Sequence, residues 1–174
     1  MGAVLSDCGR YRYSLTREIP GQLGEPERSG TCLFMMLNPS TADASVDDPT
    51  IRRCIRFTKD WGYKRLAVGN LFAYRATNPM ALRELPLEVA AGPDNDQWLA
   101  SHCEEASTIV CAWGANRIAP YRMPWVEPIL AERGGDVVCL GTTANGSPRH
   151  PLYVPADFEP VPFTPVPFPA GEAA

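Results

Sequence analysis

Residues 31–43 read TCLFMMLNPSTAD. From Thr31 to Leu37 the chain is almost wholly apolar, and it stops sharply at Asn38-Pro39. A run without polar alternation suits a strand buried on both faces, as in a parallel sheet covered by helices. Pro39 has no N–H to give a ladder and closes the strand. Ser40, Thr41 and Asp43 favour a loop or a helix entry.

The segments downstream extend this reading. Asp48-Pro49 predicts a helix start, with Asp at the cap and Pro at the first helical position. Ile51, Cys54, Ile55, Thr58 and Trp61 continue it at helical spacing, and Gly62 is the expected stop. Residues 65–70 (RLAVGN) read as a second buried strand, followed by a loop, NLFAYRATNP. Gly92-Pro93-Asp94 opens a second helix with Trp98, Leu99 and His102 on one face. Residues 108–112 (TIVCA) form a third strand ending at Trp113-Gly114. A third helix over 124–133 stops at Gly134-Gly135. A fourth strand, 136–140 (DVVCL), runs into the polar loop GTTANGSPRHP. Upstream, RYRYSLTREI (10–19) alternates like a strand, and 21–30 is turn-rich. Strand and helix alternate throughout, which predicts an α/β layered fold with a mostly parallel sheet. Residues 1–154 are expected to form one domain, and 155–174 a Pro-rich tail holding six of the 18 prolines.

Composition limits function. The net charge is −4, from 16 basic and 20 acidic residues. The tail carries three of the acids and no base, so the rest of the chain is nearly neutral. That excludes an indiscriminate polyanion binder but leaves room for a local basic groove. Arg outnumbers Lys 14 to 2; biased base composition explains the excess most simply. The six cysteines make no C-x-x-C pair, and there are two histidines. Zinc and iron–sulfur spacing are absent, and no cofactor is implied. Thiols in apolar strands point to a reduced, cytoplasmic protein. No segment reads as a membrane span or a signal peptide.

In open α/β sheets, ligands gather beyond the carboxyl ends of the strands. All four predicted ends carry unusual residues. Asn38 and Asp43 follow the first. Asn70, Phe72, Tyr74 and Arg75 follow the second, and Trp113-Gly114 the third. The fourth leads to Arg149, His150 and Tyr153. Singly, each has a bland explanation as a turn, core or surface residue; jointly they predict one cleft. No G-x-S-x-G elbow, G-x-G-x-x-G or P-loop sequence follows a strand. What remains is a pocket of amides, aromatics and histidine. An amide offers a donor and an acceptor to the edge of a base, aromatics can stack on it, and neutral His can donate to a departing anion.

The motifs LFMMLNPSTAD, DDPTIRRC, WGY, NLFAYRAT, AWG and PRHPLY, spread over residues 8–160, resemble a widespread bacterial family of unknown function. More distantly, their order is similar to the uracil-DNA glycosylase superfamily, with Asn38-Pro39, Asn70, Trp113-Gly114 and His150-Pro151 as counterparts. That resemblance implies a three-layer α/β/α fold around a four-stranded, mostly parallel sheet, with an N-terminal strand or hairpin added. It implies that Asn38 positions the attacking water, Asn70 reads a flipped base, and His150 stabilises the leaving base. Leu152 and Tyr153 fall where that superfamily wedges residues into the duplex. Asp43 is the candidate carboxylate, since Asn38 cannot act as a base. Phe72, Tyr74 and Trp113 are candidates for stacking, and Arg52, Arg53, Arg75 and Arg149 for gripping nucleic acid. Three functions follow as expectations: hydrolysis of an N-glycosidic bond in DNA, base or nucleotide binding without turnover, and chemistry on a free nucleotide or nucleoside.

Overall fold

The computed structural model describes residues 2–20, 28–40, 42–43, 45–133 and 137–165. Of the turn-rich stretch expected over 21–30, residues 21–27 lie outside them and 28–30 are strand instead; the Gly134-Gly135 helix stop and the end of the tail from 166 also lie outside.

The strands are β1 (Gly2–Leu5), β2 (Arg12–Glu18), β3 (Arg28–Met36), β4 (Tyr63–Asn70), β5 (Ala106–Cys111), β6 (Val137–Cys139) and β7 (Val161–Pro162). They form one sheet in the order β1-β2-β4-β3-β5-β6-β7. The pairs β3–β4, β3–β5 and β5–β6 are parallel. The pairs β1–β2, β2–β4 and β6–β7 are antiparallel. The four strands expected from the sequence are thus the parallel centre of a seven-stranded sheet. β1 and β7 have 4 and 2 residues, too few to show a hydrophobic period.

Helices α1 (Pro49–Asp60), α2 (Leu87–Ala91), α3 (Asn95–Glu105) and α4 (Met123–Ala131) connect the strands. The apolar run of β3 supplies two cores at once, because successive side chains point to opposite faces. Leu33, Met35 and Leu37 join Leu99 and Cys103 of α3 and Val126 and Leu130 of α4. Cys32, Phe34 and Met36 join Ile51, Cys54 and Phe57 of α1. Asp48 caps α1 by accepting from Ile51 N at 2.8 Å.

The tail does not leave the domain at residue 154. Val161 and Pro162 pair with Cys139 and Val138 on the sheet edge, a position where a strand proline loses no ladder bond. Phe163 N donates to Val137 O at 3.0 Å, and its ring meets Trp113 edge-on at 5.9 Å. Among the described residues no helix is long and apolar enough to cross a membrane.

Candidate functional site

The loops at the carboxyl ends of β3, β4, β5 and β6 enclose a cavity of about 450 Å³, a size suited to a small ligand. After β3 the chain crosses α1 to β4 on one side; β5 and β6 lie on the other. Such a reversal opens a crevice, and the cavity occupies it. Asn38, Asn70, Trp113, His150 and Tyr153 all line it.

Asn38 uses Nδ2 to donate to Pro39 O (3.0 Å) and Ala76 O (2.8 Å). Two carbonyl acceptors fix the amide orientation, because only the NH2 end can serve both. Oδ1 makes no hydrogen bond to a described residue. Asn70 differs. The residue is 1% exposed, and neither Nδ2 nor Oδ1 has a partner among the described residues. Buried polar groups are normally paired. The residue lines the cavity, and its amide lies buried and unpaired in the wall.

His150 caps the turn Pro151–Tyr153, its Nδ1 accepting from Leu152 N at 3.3 Å. That bond assigns the proton to Nε2 in the neutral ring. Burial lowers the pKa, with Asp48 pulling the other way. The neutral ring therefore carries an Nε2–H donor beside the cavity.

The carboxylate at the cavity is Asp48, not Asp43. Asp43 Oδ1 accepts from Ser45 N (2.8 Å), Val46 N (2.9 Å) and Ser45 Oγ (3.1 Å). These bonds, the backbone ones foremost, lower its pKa; the group shapes its own loop and does not line the cavity. Asp48 does line it. The Asp-Pro signal announced only a helix cap, so the second role was hidden. Arg12 was also missed. It is 2% exposed and lines the cavity, with burial pushing its pKa down to about 10. Nothing at position 12 marks it in the sequence. The β1–β2 register shifts between Val4 and Leu5, and such a slip re-aims a side chain.

The other expected residues separate. Trp113 is buried at the wall and Tyr153 is 80% exposed at the rim. Phe72 is sealed in the α3/α4 core and has no face on the cavity. The cause is the loop after β4: Leu71 N and Phe72 N bond to Met36 O and Leu37 O, each at 2.9 Å. Tyr74 is half-buried edge-on against Tyr11 (5.8 Å), away from the cavity. Arg53 donates to Val154 O and lies over the Phe57 ring, so it ties the His150 segment to α1. Exposed Arg52 donates to Asp47 O. Arg75 donates to Gly9 O at 3.2 Å and Arg149 to Thr142 O at 3.0 Å. None of these four arginines lines the cavity. Among the described residues no cluster of three or more His, Cys, Asp or Glu could hold a metal ion.

Fold and site together define an α/β protein with a polar ligand cavity at the carboxyl ends of its parallel strands. Residues 12–152 match the family described as "Protein of unknown function (DUF1643)", and the chain belongs to that family. No curated protein and no solved structure gives a significant match.

Proposed function

We propose that the protein is a uracil-DNA glycosylase-like hydrolase of the N-glycosidic bond of a damaged, mismatched or modified base in DNA. One observation carries this reading: the unpaired, buried amide of Asn70 on the cavity wall. A nucleobase edge satisfies a donor and an acceptor side by side. Trp113 supplies an aromatic wall. A mostly parallel sheet with helices against both faces suits the three-layer fold the resemblance implies, though the sheet is larger.

In this reading Asn38 Oδ1 orients a water toward C1′. The water oxygen forms the new C–O bond as the C–N bond breaks. The bonding pair leaves with the base, and the Nε2–H of neutral His150 stabilises the charge that develops on it. Asp48 takes the proton of the water. Exposed Tyr153 stands at the rim with exposed Leu152 beside it in the chain, where residues that enter a duplex belong. The partner is DNA, met one base at a time. The free thiols suit a cytoplasmic setting.

The test is incubation with oligonucleotides carrying uracil, mismatches or modified pyrimidines, followed by alkaline cleavage. Abasic sites that vanish in Asn38→Ala and fall in Asp48→Asn are expected; none above background for any base ends the proposal. A second reading, binding without turnover, draws on Asp48: one of its oxygens is already committed to the α1 cap. Base binding that survives Asp48→Asn, with no product, would favour it.

A further inference from the structure

Three arginines of the described residues are buried: Arg12, Arg17 and Arg122, at 2%, 1% and 3% exposure. Arg17 pairs with Asp47 at 2.8 Å, and Arg122 pairs with Asp96. For Arg12 no carboxylate of a described residue forms an ion pair. Its Nη1 donates to Ala42 O at 2.7 Å. Its Nε is buried and has no partner. Of the three, Arg12 alone lines the cavity.

A buried cation is tolerated when paired and fully hydrogen-bonded. Around Arg12 the charges do not supply this. Asp48 attracts it most, Arg75 and Arg17 repel it and Asp43 attracts it least, and neither acid forms an ion pair with it. Asp43 is spent on its own turn, and one oxygen of Asp48 on the α1 cap. The fold thus holds an unmatched guanidinium against the same cavity as the unmatched amide of Asn70. The planar fork of Arg fits two oxygens of one anion.

We propose that Arg12 is the anion anchor of the cavity, receiving the phosphate group of the nucleotide whose base Asn70 reads. This rests on the nucleobase reading above and specifies its substrate: base edge and phosphate are bound together, and a nucleoside satisfies only half the site. The phosphate is a diester of a strand or the monoester of a free nucleotide; the chemistry at Arg12 is the same.

The experiment is calorimetric titration of the full chain with four classes of probe: the four deoxynucleosides, their 5′-monophosphates, the matching dinucleoside monophosphates and inorganic phosphate. For the preferred base, a phosphorylated probe should bind roughly tenfold to a hundredfold more tightly than the nucleoside. Arg12→Gln should erase that difference, and Arg12→Lys, which keeps charge but not the fork, should reduce it. Circular dichroism checks that both variants fold. If Arg12→Gln does not, Arg12→Lys and the wild-type comparison decide.

Equal affinity of the wild type for nucleoside and nucleotide overturns the anchor, as does full phosphate preference in folded variants. A preference for diester over monoester, or the reverse, supports it and names the source. Phosphate binding that depends on Arg12 but ignores the base sinks the nucleobase reading and leaves the anchor standing. Base-selective binding indifferent to phosphate does the opposite, and no binding by any probe sinks both.

Discussion

Replacing Asn70 by leucine should make the ligand-free protein more stable. Both amide atoms are buried without partners, and each such group costs about 1–3 kcal/mol. Leucine has a similar shape and no polar atom. It removes both penalties, while its methyl groups face a cavity rather than a packed core. The two penalties sum to about 2–6 kcal/mol; the packing that leucine forgoes at the cavity leaves a net gain of about 1–3 kcal/mol, which for a chain of this size raises Tm by about 2–12 °C. Asn95→Leu is the control. Asn95 is buried too, and its Oδ1 is also unpaired, but its Nδ2 donates to Asn70 O (3.0 Å) and Leu71 O (3.1 Å), carbonyls that leucine would leave without this donor. Its loss should cost about 1–3 kcal/mol. Urea unfolding followed by circular dichroism reads both. The two variants should move in opposite directions, and Asn70→Leu should also abolish base binding. If Asn70→Leu instead destabilises by more than about 1 kcal/mol, the fold itself uses the amide, and the case for a reserved reading edge collapses.

Further outcomes are expected. Burial lowers the pKa of both His102 and His150, so each is protonated less readily folded than unfolded. Their contribution to stability is complete above pH ~6.5 and is lost as pH falls below it through the folded values. Proton NMR of the two imidazoles checks this; titration of His150 at or above ~6.5 contradicts the buried, neutral donor. Cys8 is exposed with a lowered pKa, owed first to its hydrogen bond with Ser6, whereas burial raises the other five thiols. The native protein should therefore react with a thiol reagent at one cysteine and after denaturation at six; a second fast thiol would mean the cores open. Phe34 is fully buried and stacks on Trp61 at 6.0 Å, so Phe34→Ala should cost about 3–5 kcal/mol in the same urea assay.

The sequence carried the architecture wherever local physics decides it. The apolar run 31–37 could be buried only on both faces, and Asp48-Pro49 could hardly be anything but a helix start. Residues were also legible by their place at a strand end. Their direction was not. Asn70 ends β4 and Phe72 lies two residues further on. The backbone bonds of Leu71 and Phe72 to the end of β3 send Phe72 into the core. Those bonds join segments more than thirty residues apart, so no local pattern announces them. The same limit hid Arg12, whose neighbour Ala42 lies thirty residues on. It also concealed Asp48 behind its own cap and β7 behind its two residues.

Asn38, Asn70 and Arg12 show how one cavity separates support from recognition. Asn38 spends both amide hydrogens on Pro39 and Ala76 and keeps one oxygen. Arg12 spends Nη1 on Ala42 and keeps Nε. Asn70 spends nothing. The atoms left over are an acceptor, a cationic donor and a donor–acceptor pair, each on a wall supplied by a different strand or strand end. Unpaired buried atoms occur elsewhere among the described residues too, on Arg53, Arg75, Asn95 and His102; what sets Asn38, Asn70 and Arg12 apart is that all three line one cavity. Their joint persistence at the strand-order reversal, in a chain whose body is nearly neutral, favours a ligand held by local matching. Long-range attraction of a polyanion would need a net positive field that this chain does not have.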